Sequence, residues 1–152
     1  MFEQGQKIIY PMHGVGIIER IEEGYYIIHI PYGDVRIRIP LANAERIGLR
    51  SLLQREEIEA LLREMATRGT VGGENWNQRY KENIQRLKSG KLEQAAEVVK
   101  LLLERNEKKK LSVVENRLLA MAWQIVLSEI ISVYEINGKE AEELLAKWMK
   151  IG

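Results

Sequence analysis

The apolar residues of this chain change their spacing near residue 50, from every second position to every third or fourth. A single layer of secondary structure cannot follow both rules, so the chain must build a β part first and a helical part second. Before the change the apolar runs are short and rich in β-branched residues. Lys7–Tyr10 stops at Pro11, and His13-Gly14-Val15-Gly16 supplies turn residues. Residues 17–21 run to Glu22-Glu23-Gly24, residues 25–30 to Tyr32-Gly33-Asp34, and residues 35–39 to Pro40. Short strands at this spacing predict a small SH3-like or Tudor-like barrel over residues 1–50. Some fifty residues lie near the lower limit for a free-standing core, so this module is expected to pack on the helical part.

From about Ser51 the pattern is helical. Leu52, Leu53, Ile58, Leu61, Leu62 and Met65 mark a first helix, and the glycine-rich stretch 67–73 reads as a loop. A second helix starts near Asn75 and stops by Gly90, with Trp76, Tyr80, Ile84 and Leu87 on one face. A third is predicted over 92–105. Ser112 with Glu115 forms a capping box before a long fourth helix that Asn137-Gly138 ends. A short fifth, over 139–150, turns Leu144, Leu145 and Trp148 inward. The expected fold is α+β: a β domain over 1–50 and a domain of about five helices over 51–152.

Several chemistries are missing from the sequence. There is no cysteine, so disulfides and thiolate metal sites are excluded. No apolar run approaches the ~20 residues of a membrane helix, and the start lacks a secretory pattern, so a soluble cytoplasmic protein is expected. Ser89-Gly90-Lys91 is a helix-to-helix turn and not a phosphate loop. His13 and His29 lack metal-ligand spacing, and no nucleophile–base set is legible. No cofactor, no metal and no enzymatic activity are expected. Net charge is +1, yet residues 75–118 hold 11 basic against 6 acidic side chains. That excess suits a phosphate-facing surface. On charge alone, a helical surface of solvated lysines is the favoured reading.

Three segments, taken in order, carry a resemblance. The first is Ile9-Tyr10-Pro11-Met12-His13-Gly14-Val15-Gly16. The second runs from Ile37-Arg38-Ile39-Pro40 through Asn43-Ala44-Glu45 to Ile47-Gly48-Leu49-Arg50. The third is Asn75-Trp76-Asn77-Gln78-Arg79-Tyr80-Lys81, followed by Leu87-Lys88-Ser89-Gly90 and by Leu111-Ser112 with Glu115. Together they resemble the CarD/CdnL family of bacterial RNA polymerase-binding transcription regulators, whose N-terminal module is shared with transcription-repair coupling factors.

The resemblance implies a non-enzymatic protein that grips the RNA polymerase β subunit and stabilises the promoter open complex. It places Arg38, and with it Arg36, against polymerase. From the strand pattern alone these two arginines read as edge guards against aggregation. It makes Trp76 a wedge in the minor groove at the upstream edge of the melted bubble, without reading sequence. By spacing alone, Trp76 belongs to the core with Tyr80 and Ile84. Lys81 aligns with a DNA-contacting position, and Arg79 and Lys110 are expected at phosphates. Trp123, Trp148 and Tyr80 are read as packing. Gln78 and Asn116 stand where relatives often carry a base, and the turn at 22–24 is short. The rival readings are a protein-only adaptor on polymerase and an enzyme in which His13 or His29 shares a pocket with a carboxylate. Monomer and exchange dimer, the latter through 69–73, both remain open.

Overall fold

The computed structural model describes residues 1–67 and 75–149. Four strands, β1 (Lys7–Tyr10), β2 (Gly14–Glu22), β3 (Tyr25–Ile30) and β4 (Val35–Pro40), form an antiparallel meander. A one-turn helix α1 (Ala44–Ile47) comes next, then a two-residue strand β5 (Arg50–Ser51) that pairs with β1. The sheet order is β4-β3-β2-β1-β5. The β2–β3 hairpin turns on Glu23 and Gly24, both at positive φ (51° and 80°), which matches the twist of the flanking strands. A register shift between Ile18 and Arg20 bends β2. Ile8, Ile18, Tyr26, Ile28, Ile30 and Ile39 fill the interior, closed by Ala44 and Leu49.

The helices are α2 (Arg55–Thr67), α3 (Trp76–Lys88), α4 (Leu92–Lys108), α5 (Val113–Tyr134) and α6 (Gly138–Met149). The α+β order and the five-helix second part are therefore as expected. Three details differ. Ser51 belongs to the last strand and not to the first helix, because a two-residue strand is too short to display an alternation. The fourth helix ends before Asn137-Gly138, at Glu135, which takes a left-handed φ of 55°. Asn137 instead caps α6: its Oδ1 accepts from Glu140 N at 2.8 Å, and its own N–H donates to Glu140 Oε1 at 3.2 Å. The glycine-rich stretch expected at 67–73 falls almost wholly outside the described residues.

By length and composition α5 could cross a membrane, contrary to the expectation that no segment would. Here it is the central helix, packed against α2, α4, α6 and strand β2. Leu118, Ala122, Val126 and Ile130 face inward along it. Trp123, Trp148 and Tyr80 are half-buried against this helical core.

A buried charge stands at the junction of the two parts. Glu129, 1% exposed, takes both guanidinium nitrogens of Arg50: Nη1 donates to Oε2 at 2.8 Å and Nη2 to Oε1 at 2.7 Å. Leu53 N–H donates to the same carboxylate at 2.9 Å, and Arg50 Nε donates to Gly90 O at 2.8 Å. Gly90 sits at φ +74°, where a Cβ would lie 2.9 Å from Pro11 Cγ. At Gly14 (φ +90°) a Cβ would meet Ser128 Oγ at 2.6 Å, and that hydroxyl accepts from Val15 N–H.

Removing one partner of such a pair strands the other charge. Glu129→Ala is expected to lower unfolding free energy by about 3 kcal/mol, the lower end of the usual range, because Arg50 keeps 23% exposure. Urea unfolding measures it, and a loss below about 1 kcal/mol would contradict this view of the joint.

Candidate functional site

Strand β4 is one end of the sheet. Arg36 and Arg38 project outward from it, opposite the inward Ile39, while Val35 at the strand start is exposed. Both arginines already have acidic company. Arg36 Nε donates to Glu19 Oε2 at 3.2 Å, and its Nη1 lies 3.5 Å from Asp34. Arg38 stacks over the Tyr25 ring at 4.1 Å and stands 4.0 Å from Glu23. The short 22–24 turn is what sets Glu23 beside it.

His29 Nε2 contacts Asp34 Oδ1 at 2.8 Å on this exposed face. The His29 hydrogen bond, and then the Arg36 charge, hold the Asp34 carboxyl below its ordinary 3.8. A depressed folded value means that the contribution is full above that pH and lost as pH falls through the lower one. The enzyme reading required a histidine and a carboxylate in one pocket. His29 meets Asp34 at the open surface. His13 lies in a groove with Met12, Tyr32, Arg117, Met121 and Ile125, where no Asp or Glu takes part among the described residues.

The second surface is the start of α3. Asn75 caps this helix, accepting Gln78 N–H on Oδ1 at 2.8 Å. The cap places Trp76 at the first helical position, 41% exposed. Its ring lies parallel to Tyr80, 5.5 Å between centroids and 9° between planes. Trp76 and Lys81 line one open depression of about 590 Å³ with Asn75, Asn77 and Gln78. The apolar stripe that suggested burial is real, but it deepens only toward the helix end, where Asn83 and Leu87 are buried.

The side chain of Arg79, expected at a phosphate, is 12% exposed and lies 3.7 Å from Glu115. Glu115 stands in the first turn of α5 and also faces Arg105 at 3.9 Å. The sequence pattern missed this pair, because residues 79 and 115 meet only through the packing of three helices. The Ser112 cap exists: its Oγ accepts Glu115 N–H at 3.1 Å. Lys110 is exposed two residues before that cap. The Arg79–Glu115 contact joins the first turn of α5 to the first turn of α3. Asn116, where a base was considered, donates from Nδ2 to Leu111 O at 3.3 Å and braces the α4–α5 connection.

Comparison with known proteins adds two family matches. Residues 2–53 match the family described as CarD-like/TRCF RID domain, and residues 53–146 match CarD, C-terminal domain. A relative from Bacillus subtilis (strain 168), named "Putative transcription factor YdeB", is 30% identical over 148 residues, covering 92% of this chain and 97% of its own.

The different settings of Arg79 and Lys81 predict different costs. Arg79→Ala leaves Glu115 short of a partner and should lower stability by about 2 kcal/mol. Lys81→Ala should stay within about 0.5 kcal/mol. Thermal unfolding of the two variants side by side checks it, and equal losses would refute the inward placement of Arg79.

Proposed function

This chain belongs to the CarD family of transcription regulators, and from that premise we propose that it binds RNA polymerase and promoter DNA together and prolongs the life of the open complex. Residues 1–50 hold the polymerase β subunit, and residues 51–152 hold DNA at the upstream edge of the bubble. The observation that carries the reading is the indole of Trp76, presented at a helix start with Lys81 beside it.

A flat ring at that position can lean on an unstacked base step from the minor groove. Unstacking costs a few kcal/mol in duplex DNA, and at a fork already melted most of that has been met. Tyr80 backs the indole face to face, so the ring need not be ordered at the moment of contact. Lys81 and Lys110 then neutralise phosphates, which fixes position without selecting sequence. A wedge of this kind slows reannealing of the fork.

The polymerase grip comes from the position of β4. A strand at the sheet edge offers unpaired backbone groups to a partner strand, and Arg38 with Arg36 favours an acidic one. Because Glu19, Asp34 and Glu23 already attend these arginines, binding exchanges one set of ion pairs for another. Such contacts discriminate between partners more than they add affinity.

Two measurements test the two grips separately. Base–aromatic stacking is worth about 1–3 kcal/mol, so Trp76→Ala should shorten open-complex lifetime on a weak promoter about fivefold or more. A lifetime equal to wild type would remove the wedge, and a ternary complex in which the wild-type protein adds no promoter footprint would leave a protein-only adaptor. Arg38→Glu should weaken capture of the polymerase β subunit about tenfold, as expected when a favourable contact becomes a like-charge one. Undiminished capture would reject the β4 edge as the docking strand.

A further inference from the structure

We propose that Glu115 is a positioning residue for the wedge: through Arg79 it fixes the first turn of α3 and therefore the aim of Trp76. The inference rests on the wedge reading and assigns the part of the machinery that holds the indole in place.

Glu115 is a buried carboxylate, only 6% exposed, in the first turn of α5. A negative charge there is favoured by the helix N-terminus. The reciprocal half of a capping box would turn its side chain back toward Ser112. Here Ser112 Oγ lies 3.5 Å from Oε1, while Oε2 faces Arg79 at 3.7 Å and Arg105 at 3.9 Å. Among the described residues Arg79 Nε is buried without a hydrogen-bond partner, and the Glu115 charge 3.7 Å away compensates it.

Residue 79 lies one turn beyond Trp76 and directly precedes Tyr80, the ring on which the indole stacks. Farther along, α3 is held by buried Leu87 and by Arg86, which lies 3.7 Å from Glu97 of α4. At its exposed beginning, the Arg79–Glu115 pair joins it to the start of α5. Removing the charge of Glu115 should therefore free the N-terminal turn of α3 and leave the polymerase-binding sheet as it was.

An alternative role for Arg79 makes the opposite prediction. If Arg79 is a phosphate contact that Glu115 merely masks, neutralising Glu115 would release a cation toward DNA and lengthen the open complex.

The experiment uses the full chain with Trp123→Phe and Trp148→Phe, so that Trp76 is its only fluorophore of this kind, and adds Glu115→Gln. Arg79→Lys, which keeps the charge but loses the planar fork, serves if Glu115→Gln does not fold. Acrylamide quenching and anisotropy read the mobility of the indole directly. Capture of the polymerase β subunit and open-complex lifetime are measured on the same proteins.

The expected result is greater quenching, lower anisotropy, unchanged capture and a lifetime at least about threefold shorter, within the range for coupled residues. Adding Trp76→Ala to Glu115→Gln should then cost no more lifetime than Trp76→Ala alone. Unaltered quenching and anisotropy overturn the proposal, as does a longer lifetime or an additive double variant. If Trp76→Ala itself leaves the lifetime unchanged, the wedge reading has failed, and the fluorescence still decides whether Glu115 positions the indole.

Discussion

The structure depends on the contact between Arg50 and Glu129. A five-stranded sheet of some fifty residues has little interior of its own, and its last strand, β5, is two residues long. What ties that strand to the helices is the guanidinium that it carries. Arg50 ties β5 to α5 through Glu129 and to the α3–α4 turn through the Gly90 carbonyl, while Leu53 N–H donates to a further lone pair of the carboxylate. A buried carboxylate with three N–H donors is satisfied, and that is the condition under which an ion pair can lie inside a protein without destabilising it.

The consequence reaches function. Two binding surfaces can lend free energy to a common event only if strain applied at one appears at the other. A flexible tether between sheet and helices would let polymerase and DNA be held at once, yet would leave the fork free to close. The bidentate Arg50–Glu129 geometry, with Pro11 packed against Gly48 and Gly90, removes that freedom. The β4 edge proposed for docking and the indole at α3 are thereby carried by one jointed body. Several residues of the three motif segments, namely Pro11, Gly14, Gly48, Arg50 and Gly90, lie at this joint.

That division explains which parts of the molecule were legible in the sequence. Periodicity located the strands and helices, because burial of one face leaves a repeating mark. It located α3 correctly but misjudged its first turn. Trp76, Tyr80 and Ile84 share a face, yet the face is buried only where a neighbouring helix lies over it, and spacing carries no information about where that cover stops. The Glu115 contact of Arg79 was hidden for a related reason. Its neighbours in sequence, Trp76 and Lys81, look outward, and its partner lies 36 residues on in another helix. Position 50 stood inside a motif, but its partner at 129 lay beyond every local pattern. Long-range charge pairing is written only in the packed state.

The same contrast clarifies why an exposed tryptophan can be kept without loss of order. An indole at a helix start, with one face on Tyr80, retains few rotamers and so has little entropy left to lose on binding. Its surroundings must then hold the backbone still, since the gain vanishes if the whole turn moves. A buried carboxylate is a suitable holder because its attraction for Arg79 is poorly screened, unlike that of the surface pairs at Arg36 and Arg38. Rigid support is therefore concentrated beneath the first turn of α3, the proposed DNA contact, whereas the β4 edge, the proposed polymerase contact, keeps weak, exchangeable contacts. A strand edge that must pair with another chain needs groups that let go. A wedge needs groups that do not.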